Sequence, residues 1–311
     1  ASKIIVLDNG VISETGTHEE LIKNESIYHS LYKNKFEDSP EKKTTISKST
    51  QLFMPEYDDE TYSSFVVDSW YKKSLWLYLL YPFSFIFSYL TSRRRRKYIK
   101  NKKISYKSDI PIVVVGNLTI GGTGKTPLVK YIANELADRG YKPGIVSRGY
   151  GGKFKETLHV TSETSVKETG DEAQILSKLN FPFYIDKNRV RAVKTLIKDH
   201  DCDVIISDDG LQHYKMGRHV EIAVIDGKRR FGNNLTFPAG PLRETKNRLD
   251  TVDFIVNNGG PTQNNEYLMN VSPSRFIHLK SGKSYPVKEW PMHKQVHAVA
   301  GLGNPGRFFD L

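Results

Sequence analysis

The sequence predicts an α/β fold in which a mostly parallel sheet is covered by helices on both faces. Three observations predict this fold. After Lys107, short β-branched apolar runs alternate with helical segments. Apolar runs of this kind are typical of parallel strands that are buried on both sides. A glycine-rich segment follows the first run, and a later run ends in two aspartates.

The elements can be assigned in the order of the chain. Residues 3–7 and 11–13 are predicted to form two short strands joined by a turn at Asn9-Gly10, and residues 17–31 a helix. The sheet elements come later. The predicted strands are 112–115, 144–147, 183–186, 204–207, 222–226 and 254–257, and the predicted helices are 127–139, 171–179 and 189–199.

Composition shifts divide the chain into four predicted segments. Residues 37–60 are polar and charged without apolar periodicity, which is typical of a solvated linker. A hydrophobic and basic segment follows the linker. The predicted segments are an N-terminal piece at 1–38, a linker at 39–65, a hydrophobic and basic segment at 66–107, and the α/β domain at 108–311, which is expected to be incomplete at its C-terminus.

The positive charge of the chain is local. The formal net charge is +11, and the stretch from Trp70 to Ser108 carries seven Lys and four Arg without an acidic residue. Within it, Ser74 to Ser92 is an uncharged run flanked by cations. This pattern favours a membrane-associated helix on an anionic lipid surface and argues against nucleic acid as a partner. An interfacial anchor, a membrane span and a buried core helix remain alternatives.

A single cysteine, Cys202, excludes an intrachain disulfide and a metal cluster built on cysteines. The default setting is therefore a reducing cytosol. The first ten residues lack a charged start and a long apolar run, so a cleaved secretory signal is not expected.

The glycine-rich segment predicts a nucleotide site. It joins a strand to a helix start and contains the Gly-x-Gly-Lys-Thr core of a phosphate-binding loop, although Thr119 stands where the usual pattern has glycine. Lys125 is expected to reach the β and γ phosphates, and the Thr126 hydroxyl to bind Mg²⁺. The predicted nucleotide-binding residues are Thr119, Ile120, Gly121, Gly122, Thr123, Gly124, Lys125 and Thr126.

The second acidic signal is Asp208-Asp209, which ends the apolar run 204–207. A carboxylate at the end of a parallel strand beside a phosphate-binding loop usually holds Mg²⁺, directly or through water. The fold class is therefore P-loop NTPase-like. Because adjacent strand residues point in opposite directions, one aspartate is expected to contact the metal shell while the other orients nearby groups.

Six motifs in this order resemble the tetraacyldisaccharide 4′-kinase family from about Trp70 to the end of the chain. They are residues 116–127 (GNLTIGGTGKTP), 147–151 (SRGYG), 170–172 (GDE), 208–213 (DDGLQH), 237–244 (FPAGPLRE) and 300–305 (AGLGNP). The resemblance implies an ATP- and Mg²⁺-dependent enzyme on the cytoplasmic face of the bacterial inner membrane. Its reaction phosphorylates the 4′-hydroxyl of an acylated glucosamine disaccharide 1-phosphate in lipid A biosynthesis.

The resemblance also implies residue roles. Asp171 matches the general base, and the implied catalytic set is completed by Lys125, Asp208, Asp209, Arg243 and His213. The implied metal shell is Thr126, Asp208, Asp209 and Glu244. Substrate contacts are implied for Asn117, Arg148, Arg189, Arg191 and Gln212. Alternative interpretations remain: Asp171 as a helix N-cap, one of Arg189 and Arg191 as a solvated cation, and His213 as a partner of a local backbone group.

The first 38 residues resemble the C-terminal end of an ABC transporter ATPase domain of the lipid A flippase type, on the segments 4–10 (IIVLDNG) and 14–21 (ETGTHEEL). This resemblance implies association with a lipid A flippase as an expectation. Two other functions stay open for the chain as a whole. One is a P-loop GTPase or transport ATPase, and the other is a non-catalytic membrane-tethered module. No Asn-Lys-x-Asp guanine motif supports the first of these.

Overall fold

A computed structural model describes residues 4–8, 11–16, 18–24, 58–72, 74–101, 105–263, 265–278 and 281–289. The chain divides into two compact units. The first unit takes residues 1–55, 272–298 and 311, and the second takes residues 56–271 and 299–310.

The first unit contains short elements. Strands β1 (Ile4–Asp8) and β2 (Val11–Gly16) pair antiparallel and precede helix α1 (His18–Lys23). Strands β11 (Arg275–Ile277) and β12 (Ser284–Pro286) form another antiparallel pair. The predicted N-terminal strand pair is confirmed. The predicted helix 17–31 is confirmed over α1, and its residues 25–31 lie outside the described residues.

The second unit begins with helix α2 (Asp58–Tyr71), a 3₁₀ turn at Leu75–Leu80 and helix α3 (Tyr81–Lys100). Helix α2 begins inside the segment 39–65 that the sequence predicts as linker. Pro82 lies in the first turn of α3, where its missing N–H costs no helical hydrogen bond. The proline therefore marks the start of α3, and the predicted hydrophobic run is split between the 3₁₀ turn and α3.

The α/β elements of the second unit follow. The strands are β3 (Ile112–Gly116), β4 (Pro143–Ser147), β5 (Leu158–His159), β6 (Phe183–Ile185), β7 (Val204–Asp208), β8 (Val220–Asp226), β9 (Phe254–Asn258) and β10 (Glu266–Met269). The helices are α4 (Lys125–Asp138), α5 (Val166–Thr169), α6 (Asp171–Ser177) and α7 (Arg189–Asp199), and a 3₁₀ turn spans Lys246–Thr251.

These strands form one eight-stranded sheet in the order β10-β9-β8-β3-β7-β4-β6-β5. All pairs in it are parallel except β5 with β6. The predicted mostly parallel sheet is confirmed, with boundaries that differ by one or two residues. The antiparallel edge strand β5 and the parallel edge strand β10 lack the apolar runs of the central strands, and the sequence did not predict them.

Alternating strand residues pack into two core layers. Ile112, Val114 and Ile205 pack with Ala192, Val193 and Leu196 of α7 in one layer. Val115 and Ile206 pack with residues of α4 and α6 in the other. Because successive strand side chains point to opposite faces, these layers lie on the two sides of the sheet. The prediction of helices on both faces is thus confirmed.

Helix α3 and the turn before it present apolar side chains outward. Leu75 is 80% exposed, Leu79 78% and Phe85 70%. By length and composition, Leu75–Lys100 is the one stretch in the described part of the chain that could cross a membrane. The alternative of a buried core helix is wrong, because the largest apolar side chains of this stretch do not enter either core layer.

One polar residue of α3, Ser84, connects the helix to a loop of the same unit. The buried Ser84 hydroxyl donates to the carbonyl of Thr236 at 2.7 Å and accepts from the backbone N–H of Ala239 at 2.9 Å. The Thr236 hydroxyl donates in return to the carbonyl of Ser84 at 2.9 Å. The loop that contains Thr236 and Ala239 also contains Pro241, whose carbonyl accepts from the N–H of Ile120 at 2.8 Å. The same loop therefore contacts both helix α3 and the glycine-rich segment.

Candidate active site

The glycine-rich segment forms a loop between β3 and α4, as the sequence predicts. Gly121 and Gly124 have φ of 100° and 92°, values that favour glycine, and Gly124 immediately precedes α4. A Cβ at Gly122 would meet no atom within 4 Å. The loop is thus open on one side and ends at a helix N-terminus, a combination that suits a phosphate group.

Three side chains from separate parts of the chain hold this loop. Asn117 donates to the carbonyls of Thr119 and Gly121 at 2.8 and 3.3 Å. Asn258, at the end of β9, donates to the carbonyl of Thr123 at 2.8 Å, and Arg229 donates to the carbonyl of Gly122 at 3.1 Å. Side-chain hydrogen bonds therefore fix the carbonyls of the loop in position.

The substrate contact expected of Asn117 stays a prediction, and the structure places this side chain inside the loop. Asn117 has no exposed surface, and its Oδ1 accepts from the Nζ of Lys125 at 3.3 Å. Its carbonyl accepts from Gln212 Nε2 at 3.1 Å. Asn117 therefore supports the phosphate-binding loop from inside, and Gln212, which is half-buried, connects this loop to the segment after β7.

Asp208 ends β7, next to β3 in the sheet, so it lies at the same sheet edge as the loop. It is 1% exposed and accepts from the Ser147 hydroxyl at 3.3 Å through Oδ2. Its Oδ1 is buried and has no hydrogen-bond partner among the described residues. Burial raises the pKa of Asp208 to about 6, against the opposing effect of Lys125.

Asp209 points elsewhere because its backbone is left-handed, with φ of 48°. Its carboxylate lies 3.6 Å from Lys125 Nζ and accepts from Arg243 Nη1 at 2.8 and 2.9 Å. Burial alone would raise the pKa of Asp209, but the charges of Lys125 and Arg243 hold it below its ordinary value. Asp209 is therefore a stable carboxylate that orders two cations beside the loop.

The predicted arginines divide into three environments. Arg189 is buried and donates to the carbonyls of Asp209 at 3.2 Å and Asp186 at 3.5 Å; burial lowers its pKa to about 10. Arg191 is half-exposed and pairs with Asp186 at 2.5 Å. Arg148 is exposed and close enough to Arg189 to repel it. Only Arg189 and Arg243, among these cations, contact the Asp208-Asp209 pair in the described part of the chain.

His213 lies in the segment after β7 together with Gln212. Burial lowers its pKa to about 4, and the nearby cations Arg189, Arg218 and Arg94 act in the same direction. Its Nε2 is buried without a hydrogen-bond partner among the described residues. His213 is accordingly neutral at physiological pH.

Glu244 lies in a buried cluster of its own. Both of its carboxylate oxygens accept from the Tyr214 hydroxyl at 2.8 Å, and Arg248 Nε lies 3.5 Å away. Burial raises the pKa of Glu244 and that of Tyr214. The structure gives Glu244 no contact with Asp208 or Asp209 among the described residues, so the metal role that the resemblance implies for it is a prediction without geometric support.

Asp171 is the first residue of α6 and is exposed. The N-cap of α6 is Gly170, whose φ of 81° and close approach to the Tyr150 carbonyl, 2.0 Å from an added Cβ, require glycine. The alternative of Asp171 as N-cap is therefore wrong. Tyr150 lies just beyond β4, a neighbour of β7, which brings Gly170 and Asp171 to the sheet edge that carries Asp208.

The arrangement fits a divalent cation held mainly by nucleotide phosphates. No group of three or more His, Cys, Asp or Glu side chains among the described residues could hold a metal ion alone. Mg²⁺ commonly takes one or two carboxylates and completes its shell with water and phosphate oxygens. The unpartnered Asp208 Oδ1 and the half-buried Thr126 offer oxygens of the right kind, and Thr123 Oγ1 is a further buried oxygen without a partner.

The sequence did not single out two residues that hold the loop, Asn258 and Arg229. Ser147 belongs to the motif 147–151, but its contact with Asp208 was not predicted. A signal existed for Asn258, because it directly follows the predicted strand 254–257 at the edge where the other site residues lie. No signal was available for Arg229, which comes from a loop without a recognisable motif.

The chain is similar to one family of known proteins over most of its length. The family model described as tetraacyldisaccharide-1-P 4′-kinase (LpxK) matches residues 76–311. A tetraacyldisaccharide 4′-kinase from Shewanella denitrificans is 44% identical over 242 residues, which are 78% of this chain and 73% of the relative. The Methylobacillus flagellatus enzyme of the same name is 42% identical over 252 residues, 80% of this chain and 75% of the relative.

A solved structure is also similar. It is the "apo" form of LpxK from Aquifex aeolicus in complex with ATP, with a TM-score of 0.65 and 28% identity over 76% of this chain and 77% of that one. The family match begins at residue 76, so the ABC transporter resemblance of the first 38 residues stays a prediction. On the match over most of its length and on its relatives, the chain belongs to the tetraacyldisaccharide-1-P 4′-kinase family.

Proposed function

We propose that this chain transfers the γ-phosphoryl group of ATP to the 4′-hydroxyl of a tetraacyldisaccharide 1-phosphate, a step of lipid A biosynthesis. Family membership supports the activity. The single structural observation that carries it is the position of Lys125, 3.6 Å from Asp209 and 3.3 Å from Asn117 Oδ1, at the head of an open phosphate-binding loop.

ATP binds to the loop formed by residues 119–126. The related Aquifex structure contains ATP, and the open face at Gly122 leaves room for phosphate oxygens here. In this proposal Thr126 and Asp208 hold Mg²⁺, and Asp209 orders Lys125 and Arg243 beside the transferring group. When bound, Mg²⁺ neutralises charge on the phosphates.

Asp171 is the residue proposed to accept the proton of the 4′-hydroxyl. In the transfer, the bond from the hydroxyl oxygen to the γ-phosphorus forms while the bond from the γ-phosphorus to the β-phosphate oxygen breaks, and ADP leaves. Asp171 is exposed at the sheet edge that carries Asp208, so an acceptor can approach it from solvent. A positioned base of this kind contributes about 10²–10⁴-fold to the rate.

The remaining cations stabilise the charge that spreads over the transferring group. Arg189 and Arg243 are held against Asp209 and need little reorganisation, which makes their effect larger than that of solvated cations. Arg148 is exposed and can reach an incoming acceptor, whereas Arg191 is committed to Asp186. Of the four arginines, we therefore propose Arg189, Arg243 and Arg148 as the ones acting in the reaction.

The finer localisation rests on α3. The exposed apolar side chains of Leu75–Lys100 and the cations that follow them suit the interface of an anionic bilayer, because an apolar anchor and a basic patch act together. The family's place in lipid A synthesis supports the cytoplasmic face of the bacterial inner membrane. Association of the first 38 residues with a lipid A flippase is a separate proposal that rests on sequence resemblance alone.

A turnover assay tests the activity. The purified chain, in non-ionic detergent with Mg·ATP and tetraacyldisaccharide 1-phosphate, should produce the 4′-phosphorylated lipid. Lys125→Ala should lower the rate by about 10²–10³-fold, because it removes a cation beside the phosphates. Lys130→Ala, an exposed lysine on the same helix, is the matched control and should leave the rate unchanged. Equal turnover in Lys125→Ala and Lys130→Ala would exclude the loop at residues 119–126 as the catalytic site. In a nucleotide competition, tighter binding of GTP than of ATP would favour a GTPase instead.

A further inference from the structure

A pocket of about 790 Å³ lies beside helix α3, outside the residues assigned to the reaction. Arg93, Arg94 and Lys97 line it from α3, and Lys215 lines it from the segment after β7. Leu90 and Tyr98 complete the lining, and none of these six residues is acidic. Cations from two separate elements therefore converge on one cavity.

The cations of the pocket have no counter-charge in the part of the chain that the structure describes. None of the four makes an ion pair with a carboxylate there. Arg95, in contrast, turns toward the body of the unit and donates to the Thr251 hydroxyl at 2.6 Å. Like charges spaced one turn apart on a helix repel. A cluster of this kind is relieved when an anion binds between its members.

The pocket is close to the chemistry. Tyr98, in its lining, stacks on Tyr214 with ring centroids 6.1 Å apart. Burial chiefly lowers the pKa of His213, and the charges of Arg189, Arg218, Arg94 and Lys215 act in the same direction. Arg189 itself donates to the carbonyl of Asp209. Lys215 of the pocket and Gln212, which donates to the Asn117 carbonyl, lie in the same short segment after β7.

The shape and charge of the pocket fit a phosphate monoester attached to an apolar body. A guanidinium can give two parallel hydrogen bonds to phosphate, and lysine adds a point charge. The exposed side chains of Ile86, Tyr89 and Leu90 continue along α3 from the cations. A ligand with a phosphate and acyl chains can therefore place the first in the pocket and the second along the helix.

We propose that this pocket binds the 1-phosphate of the acceptor disaccharide. The proposal rests on the proposed function, since the 1-phosphate is the charged group that the acceptor carries away from its 4′-hydroxyl. Arg93, Arg94, Lys97 and Lys215 would then select acceptors that already bear this phosphate and orient the 4′-hydroxyl toward Asp171. The phosphate headgroup of an anionic membrane lipid has the same chemistry, so the experiment separates the two sources.

Equilibrium binding in non-ionic detergent, without ATP, tests the proposal directly. The probes are tetraacyldisaccharide 1-phosphate and the same disaccharide without the 1-phosphate. In Arg94→Gln and in Lys215→Gln, the Kd for the phosphorylated probe should rise about tenfold, because each variant loses one charged hydrogen-bond donor. The Kd for the dephosphorylated probe should stay that of the unchanged protein. Arg96→Gln is the matched control, an exposed cation of α3 outside the pocket.

Two outcomes would overturn the proposal. One is an equal change, or no change, in Kd for both probes. The other is unchanged Kd in micelles together with lost binding to phosphatidylglycerol vesicles but not to phosphatidylcholine vesicles, which would assign the pocket to membrane headgroups. Because the four cationic side chains reach solvent, the thermal midpoints of Arg94→Gln and Lys215→Gln should equal that of the unchanged protein. Lys215→Gln also tests the pocket from the segment after β7, independently of helix α3. Failure of the proposed function would show instead as absent phosphate transfer by the unchanged protein, which this binding measurement does not require.

Discussion

Asp208 and Asp209 are adjacent in sequence but have opposite electrostatic environments. Asp208 is buried with one oxygen unpartnered, and its pKa is raised to about 6. Asp209 turns away through a left-handed backbone and meets Lys125 and Arg243, which keep its pKa low. This difference supports the expected division of the pair, one residue toward a metal and one toward neighbouring groups, which stays a prediction. The contrast between the two carboxylates can be tested at Asp208.

The first prediction concerns Asp208→Asn and the pH dependence of stability. The pKa of Asp208 in the folded protein is about 6, above the value of an aspartate in the unfolded chain. Between about pH 4 and 6 the folded protein therefore binds a proton at Asp208 that the unfolded chain has released. As a result, the free energy of unfolding falls as the pH rises through this range. The amide removes this penalty. Without ligand at pH 8, Asp208→Asn should be more stable by about 1–3 kcal/mol, and at pH 4 the difference should vanish.

Thermal midpoints at the two pH values check this expectation, with Asp109→Asn as an exposed control. Mg·ATP should raise the midpoint of the unchanged protein more than that of Asp208→Asn, since a ligand that binds more tightly stabilises the native state more at the same concentration. A variant that is less stable at pH 8 and gains equally from Mg·ATP would show that the unpartnered oxygen is neither a penalty nor a metal ligand.

The second prediction concerns Asn258, whose amide donates to the carbonyl of Thr123 at 2.8 Å in a buried contact. Asn258→Asp replaces the donor with an acceptor, so two oxygens would face each other across the loop. We expect a loss of about 1–3 kcal/mol in stability and a higher KM for ATP. Asn258→Ala should raise the KM less, because it removes the hydrogen bond without adding repulsion. Equal KM values in both variants and the unchanged protein would mean that the loop keeps its shape without this contact.

The third prediction concerns membrane binding through the exposed face of α3 and the turn before it. Leu79, Phe83 and Ile86 are 78%, 60% and 54% exposed. Replacing all three with Gln should strongly reduce pelleting with anionic vesicles and leave the thermal midpoint nearly unchanged, because the side chains pack against little in the unit. Tyr131→Gln, an exposed aromatic on α4, is the control. Undiminished pelleting of the triple variant would place the membrane contact elsewhere.

A deletion of residues 70–97 would be a poorer test of the same idea. It would remove Ser84, which the Thr236 and Ala239 backbone groups hold, and Trp70, whose indole N–H donates to the carbonyl of Pro238 at 3.0 Å. The loop that supports Ile120 would lose these contacts. Loss of activity after the deletion would therefore report damage to the phosphate-binding loop as well as loss of the anchor.

The parts of the site that the sequence predicts are those set by local pattern. A strand, a glycine loop and a helix place Lys125, and an apolar run ending in acid places Asp208, because both signals need only a few neighbouring residues. Contacts between distant segments are different. The burial of Asn117 under the loop and the pairing of Glu244 with Tyr214 depend on how loops pack after the sheet has formed. No short-range period records such contacts.

The difference between local pattern and long-range contact also explains why the sequence did not predict strand β5 or the separate environments of Arg189 and Arg191. Helix α7 begins at Arg189 as predicted, yet helical spacing alone could not show that Arg189 turns inward to Asp209 while Arg191 pairs with Asp186. The short strand β5 is found only through its pairing with β6. Tertiary contacts decided each of these features.

The last prediction concerns Asp171→Asn. Gly170 caps α6, and Asp171 is the exposed first residue of the helix, so its charge contributes only the modest stabilisation of an acidic residue near a helix N-terminus, about 0.3–1 kcal/mol. The amide keeps the shape of the side chain but cannot accept the proton of the 4′-hydroxyl. We expect kcat to fall about 10²–10⁴-fold while the Kd for ATP stays nearly constant, since the residue does not hold the nucleotide.

Three measurements on one preparation separate catalysis from structure: kcat with the acceptor, Kd for ATP, and the thermal midpoint. Glu168→Gln, an exposed acid in the short helix before α6, is the control and should match the unchanged protein in all three. A large loss of kcat in Asp171→Asn with an unchanged midpoint can only come from the reacting group, because the cap and the fold are intact. If kcat instead stays within a few-fold of the unchanged protein, Asp171 is not the base, and an acceptor proton must leave by another route.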